Sequence, residues 1–212
     1  KYIKDKLEGE YKEYYENGKP KLISNYKDDQ LNGKYLSYYE DGKLESSCYY
    51  KENELNGECI KYYTNGKVKE KSLFKNGNFD GELIEYYENG NMKVKKKSIN
   101  GKLNGECSYF YENGKLKEKR NYKDNLLIGE NILYYENEKI SRKQNYSNGI
   151  LHGAYVFYYE SGKLWGKGNY ASGKLNGQIL KYYENGKVQL DANYSKGNRH
   201  GEYKEYYENG QL

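Results

Sequence analysis

Glycine stands at Gly9, Gly33, Gly57, Gly81, Gly105, Gly129, Gly153, Gly177 and Gly201, an interval of 24 residues kept without insertion or deletion through a chain of 212. A fold that admits no length change over so many copies is one in which each copy stacks on the one before. Two further columns keep the phase. Glycine recurs from Gly18 to Gly210, with Glu138 in its place once, and tyrosine recurs from Tyr15 to Tyr207. No boundary or linker interrupts the period, so the expectation is one repeat array over residues 1–212. It comprises a partial repeat at 1–6, eight full repeats at 7–198 and a partial ninth at 199–212. Because the chain starts and stops within repeats, it reads as a piece of something longer.

Hydrophobic residues make up only 35% of the chain, which in an aperiodic sequence would point toward disorder. Thirty tyrosines point the other way, toward a folded chain, because each can bury a ring while keeping its hydroxyl wet. The net charge of +5 is small beside 36 basic and 31 acidic residues, which argues against nucleic acid as the main partner. No apolar run of 18 residues exists, so no helical membrane span is expected.

The repeat at residues 31–54 reads LNGKYLSYYEDGKLESSCYYKENE. Two aromatic and β-branched runs flank Asp-Gly, or Asn-Gly in most other copies, a dipeptide suited to a type I′ hairpin turn. That turn predicts Tyr15 opposite Pro20, Tyr11 opposite Ser24 and Gly9 opposite Tyr26. The glycine column is then explained by the ring of Tyr26 lying across it. Alternation places Gly9, Tyr11, Tyr15, the apolar residue after the turn (Leu44, Val68, Met92, Leu116, Ile140, Leu164, Val188) and Tyr26 on one aromatic face. Leu36, Ile60, Ile84, Ile132, Val156 and Leu180 take the other, with the Tyr14 column and the lysines of the returning strand. A second turn, such as the one around Asn53, joins each hairpin to the next. The expected fold is all-β: an elongated single-layer antiparallel meander, a twisted ribbon on the order of 80 Å by 25 Å at ~4.8 Å per strand. Its terminal edges are open to end-to-end self-association.

The repeat pattern, LNGExxxYYENGKLKxxxxYKNG, resembles the bacterial variant of the MORN repeat, and the resemblance covers all 212 residues. It implies a hairpin-built β-sheet and supplies no catalytic residues. Members are described as antitoxin-like, and some arrays occur in secreted or surface proteins.

Chemistry-bearing residues are sparse. His152 and His200 each precede a column glycine, where asparagine stands in other copies, and read as turn substitutions. The glutamate ladders read as solvated ion pairs, with Glu16 facing Lys19 across the turn. Cys48 and Cys59 fall opposite each other if the second turn centres on Asn53. They are either bridged or small apolar fillers, and Cys107 is left over. With no phosphate loop, triad or metal cluster, no enzymatic activity, cofactor or metal is expected.

Two departures from the pattern are candidate binding sites. Lys71, Lys93, Lys95, Lys97, Lys117 and Lys119 are expected on one face as a basic patch for an acidic partner, with the alternative that lysine stems merely cover a thin sheet. Tyr109, Leu133 and Phe157 form an apolar stripe in a column that elsewhere holds Glu13, Ser37, Lys61, Glu85, Lys181 and Glu205. Trp165 is expected beside them on the opposite face. The stripe is either a partner anchor or local packing where Glu138 disturbs the turn. The reading is a non-catalytic scaffold that binds a protein partner, in the cell envelope or outside the cell. A glycan or cell-wall module, or an antitoxin that occludes a toxin, are the alternatives.

Overall fold

The computed structural model describes the backbone of residues 2, 3 and 6–212 and the side chains from Lys6 onward. The chain divides into two compact units, Lys1–Leu103 with Glu112–Gly114, and Asn104–Tyr111 with Lys115–Leu212. The first contains β1 (Tyr2–Ile3), β2 (Lys6–Leu7), β3 (Gly9–Tyr14), β4 (Pro20–Lys27), β5 (Gln30–Tyr38), β6 (Leu44–Lys51), β7 (Glu54–Tyr62), β8 (Val68–Lys75), β9 (Asn78–Tyr86), β10 (Met92–Ile99) and β11 (Lys102–Leu103). The second contains β12 (Gly105–Phe110), β13 (Leu116–Lys123), β14 (Leu126–Leu127), β15 (Gly129–Tyr134), β16 (Ile140–Ser147), β17 (Ile150–Tyr158), β18 (Leu164–Ala171), β19 (Lys174–Leu175), β20 (Gly177–Tyr182), β21 (Val188–Ser195) and β22 (Asn198–Glu205). The fold is all-β among the described residues. Within each unit the strands form a single-layer antiparallel meander, each pairing with its sequence neighbour.

Two turn types alternate, and the type I′ turn is not at the Asn-Gly dipeptide where it was expected. Around Asn17-Gly18 the Tyr15 amide donates to the Lys19 carbonyl and the Gly18 amide to the Tyr15 carbonyl, both at 2.9 Å. Only Gly18 has positive φ, at 78°. This is a type I turn closed by a left-handed glycine, not a type I′ turn. The Asn17 carboxamide sets it, its oxygen accepting from the Lys19 amide at 3.0 Å. Tyr15 therefore faces Lys19, not Pro20. The type I′ turn occurs at the second connection, where Glu52 and Asn53 have φ of 52° and 68° and Lys51 pairs with Glu54.

Two irregularities per repeat restore the register. Glu13 pairs with Leu22 but Tyr14 with Pro20, so Lys21 is an extra residue in a bulge. The apolar residues after the turn consequently pair with the second tyrosine column, as Leu44 does with Tyr38 and Leu164 with Tyr158, and do not join the Tyr15 face. The second irregularity sets residues 56–58 against Tyr49 alone, because Cys48 pairs with Cys59 and Tyr50 with Leu55. Gly57 lies inside it at φ 119°, with Tyr49 Cβ 3.5 Å from where its own Cβ would stand. The expected pairings of Gly9 with Tyr26 and Gly57 with Phe74 are present. What reserves the column for glycine, however, is left-handed backbone in a bulge, not a ring laid over it.

Burial is confined to one face. In the first unit Ser24, Cys48, Cys59, Ser72, Val94 and Ser98 are buried; in the second, Cys107, Glu118, Asn131, Gln144, Tyr155, Ile179, Leu190 and Ala192. All occupy the columns that pair as Tyr11 with Ser24, Glu13 with Leu22 and Gly9 with Tyr26. Cys48 and Cys59 are joined by a disulfide with Cα atoms 4.0 Å apart.

Candidate interaction surface

The regular columns are occupied in holding repeat to repeat. The Tyr15 hydroxyl donates to the carbonyl of Tyr38 at 2.6 Å, Tyr39 to Tyr62, Tyr63 to Tyr86, Tyr111 to Tyr134, Tyr135 to Tyr158, Tyr159 to Tyr182 and Tyr183 to Tyr206. Burial pushes the Tyr39, Tyr63, Tyr111 and Tyr159 hydroxyls above the usual tyrosine pKa. Where a turn carries asparagine and lysine, they do the same work: Asn17 Nδ2 donates to the carbonyl of Glu40 at 2.9 Å, and Lys19 Nζ to that of Asp41 at 2.7 Å. Lys19 is thus committed to the following turn and does not pair with Glu16. The YENGK segment that recurs along the sequence is a staple between hairpins.

Glu138 keeps that geometry. It adopts φ 68° and its amide donates to the Tyr135 carbonyl at 2.9 Å, as a column glycine's does. The turn is undisturbed, so it gives no packing reason for the apolar stripe beside it. His152 lies in β17 and not in a turn, but it takes the part of the asparagine it replaces: its Nδ1 accepts from the Ser172 amide at 3.4 Å, in the way that Asn104 Oδ1 accepts from Asp124 at 3.1 Å.

The six lysines do not form one patch. In the first unit Lys93 stands in the bulge column on the buried-core face, its Nζ 5.8 Å from the Tyr87 ring centroid. Lys71, Lys95 and Lys97 point to the opposite face, where Lys95 pairs with Glu82 at 3.0 Å. In the second unit Lys117 lies 5.3 Å from the centroid of Tyr111, whereas Lys119 pairs with Glu106 at 3.4 Å on the opposite face. The bulge shifts the facing of every residue in its column, which simple alternation misses. The pairing with glutamates then cancels much of the local positive potential.

The same bulge brings Trp165 onto the face of Phe157 instead of the reverse side. Phe157 pairs with Gly166 and Tyr158 with Leu164, so Trp165 is the extra residue. Its ring meets Phe157 edge-on, centroids 5.4 Å apart. Gly166 contributes no side chain, and a Cβ there would stand 3.3 Å from the Leu180 carbonyl oxygen. Phe157 also packs on Tyr155 at 5.2 Å, and Tyr155 on Tyr170 at 5.0 Å. Burial pushes the Tyr155 hydroxyl up to about 12. Leu133, Tyr135, Ser141, Arg142, Phe157, Tyr158, Tyr159 and Trp165 line a cleft of about 370 Å³, and Trp165 is 37% exposed.

Tyr109 sits one repeat earlier, against a polar cluster that the sequence did not advertise. Glu118, buried, accepts from Arg120 at 2.8 Å and from Asn131 Nδ2 at 3.1 Å. The Arg120 guanidinium lies over the Tyr109 ring, 4.9 Å from its centroid. Burial, with the neighbouring Tyr122 hydroxyl, pushes Tyr109 up to about 12. The hydrogen bond to Glu118 raises Arg120 further above its ordinary value. Arg142, in the same column as Glu118, is equally inconspicuous in the sequence. The register sets it between Leu133 and Phe157.

Among the described residues no group of His, Cys, Asp and Glu side chains could hold a metal ion, and no helix is long and apolar enough to cross a membrane. No curated protein matches the chain. A crystal structure of a porin-like protein from Bacteroides uniformis ATCC 8492 aligns over 91% of this chain and 92% of that one, at 10% identity and a TM-score of 0.21, too low to carry any argument. A family model for the MORN repeat variant matches residues 7–28, 31–52, 55–76, 79–102, 103–124, 127–148, 151–172, 175–196 and 199–212. The hairpins built from tyrosine, asparagine and glycine columns, and these nine matches along nearly the whole sequence, place the chain in the MORN repeat variant family.

Proposed function

We propose that this repeat scaffold is non-catalytic and binds a protein partner through the aromatic face of its second unit, with residues 1–212 acting as one array. The observation that carries the reading is the Leu133, Phe157 and Trp165 cleft. Every other copy of the stripe column outside Tyr109, Leu133 and Phe157 is polar, the turn beside it is regular, and the tryptophan remains open to solvent. Aromatic anchors in a partly desolvated cleft are the usual energetic centre of a protein interface. The Cys48–Cys59 bridge supports an oxidising compartment, such as the envelope or the exterior. A glycan reading is favoured by one observation, the exposed indole flanked by Tyr135 and Tyr159 in the same cleft.

The test is capture from envelope and cytosolic fractions with the full chain and with a Leu133→Glu/Phe157→Lys variant, bound material being identified by mass spectrometry. The reading predicts one protein retained at high salt and an affinity loss of about 2 kcal/mol or more in the variant, with an unchanged melting temperature. Equal retention by both chains, or release of all bound material by free sugar, contradicts it. A large drop in melting temperature would mark the stripe as core.

A further inference from the structure

On the buried-core face several charged side chains find opposite charges, while Lys93, Lys117 and Lys181 lie over the Tyr87, Tyr111 and Trp165 rings. Lys21 pairs with Glu13 at 2.7 Å, Lys61 with Glu70 at 3.4 Å, Lys96 with Glu85 at 3.7 Å, and Arg120 with Glu118 at 2.8 Å. Arg142 has neither kind of partner. Its guanidinium makes no hydrogen bond or ion pair among the described residues, and its Nε is buried without a partner. It is half-buried between Leu133 and Phe157, its cross-strand neighbours, and it lines the cleft that contains Trp165. The buried Nε lacks an acceptor, and the planar donors of a guanidinium suit a carboxylate better than any neutral group.

We propose that Arg142 is the anion-recognition point of this cleft and that the partner's segment seated there presents a carboxylate beside an aromatic or aliphatic side chain. This rests on the protein-partner reading above and specifies its chemistry. The carboxylate gives Arg142 the kind of partner that Glu118 gives Arg120. The neighbouring apolar residue packs on Phe157 and Trp165, which exclude water from the ion pair. The identity of residues around the site fits this division of labour: Leu133 and Phe157 flank the guanidinium without offering it an acceptor.

The sole tryptophan of the chain is Trp165, so its emission reports on the cleft without labelling. The probes are two capped peptides, acetyl-Leu-Glu-Phe-amide and acetyl-Leu-Gln-Phe-amide, titrated into the full chain. The acidic peptide is expected to shift Trp165 emission and to bind at least ten-fold more tightly than its amide twin. Arg142→Gln should remove that preference while leaving the weaker binding of the glutamine peptide in place. Equal binding of the two peptides, or no response to either, overturns the proposal. A response to glucuronate but to neither peptide also overturns it, and moves the cleft to acidic sugars. The two readings separate in the capture experiment. If Arg142→Gln retains the partner while Leu133→Glu/Phe157→Lys loses it, the scaffold reading stands and the carboxylate inference falls.

Discussion

At the residue scale, single substitutions within a fixed column show which positions the fold dictates. The turn glycine is chosen for its left-handed backbone, and Glu138 adopts the same conformation, at φ 68°, with the same hydrogen bonds. A side chain with a Cβ pays for that conformation, whereas glycine does not. Glu138→Gly is therefore expected to stabilise the chain by about 1 kcal/mol, read as a higher melting temperature. The loss of the Lys115–Glu138 contact at 3.4 Å, an exposed pair, offsets little of it. The glycine and tyrosine columns were legible from spacing alone, since only a stacked hairpin explains them. That Arg142 Nε is buried without an acceptor was not, because a lone arginine among Leu22, Ser46, Glu70, Val94 and Glu118 looks like ordinary variation in the sequence.

At the scale of the hairpin, the alternation rule located the pairing of Gly9 with Tyr26 and of Cys48 with Cys59. It failed at the bulges. One extra residue after each long turn changes the facing of its column, which moved Trp165 beside Phe157 and split Lys93 and Lys117 from the other lysines. Nothing in the composition of a strand marks a bulge of this kind, and the Asn-Gly dipeptide favours type I′ turns strongly enough to hide the type I turn that is present. The staple between hairpins is open to direct test. The Tyr159 hydroxyl donates to the Tyr182 carbonyl at 2.8 Å from a part-buried position. Tyr159→Phe should cost about 1 kcal/mol in a denaturant melt, the usual net worth of such a bond, without altering the far-ultraviolet circular dichroism.

For the whole molecule, tyrosine replaces aliphatic residues as the main apolar material, and this makes stability sensitive to alkali. Burial holds Tyr109 and Tyr155 at about 12 in the folded chain, against a reference value of 10.0. Below pH 10 both states are protonated and the groups contribute no pH dependence. As pH rises from 10 toward 12 the unfolded chain releases these protons and the folded chain does not, so stability falls across that window. The melting temperature should decline above pH 10, and Tyr109→Phe/Tyr155→Phe should make the decline shallower. The two faces also divide labour. One buries Tyr155, serines and cysteines and carries the Phe157 cleft; the other, with pairs such as Lys95–Glu82 and Lys119–Glu106, holds none of the buried side chains among the described residues. In the proposed function a partner meets the first of these faces. Neighbouring residues of β17 point to opposite sides, so a photo-reactive phenylalanine analogue placed at Phe157 or at Val156 samples one face or the other. Irradiation with the captured partner should cross-link from position 157 and not from 156, whereas cross-linking from 156 alone would contradict the account.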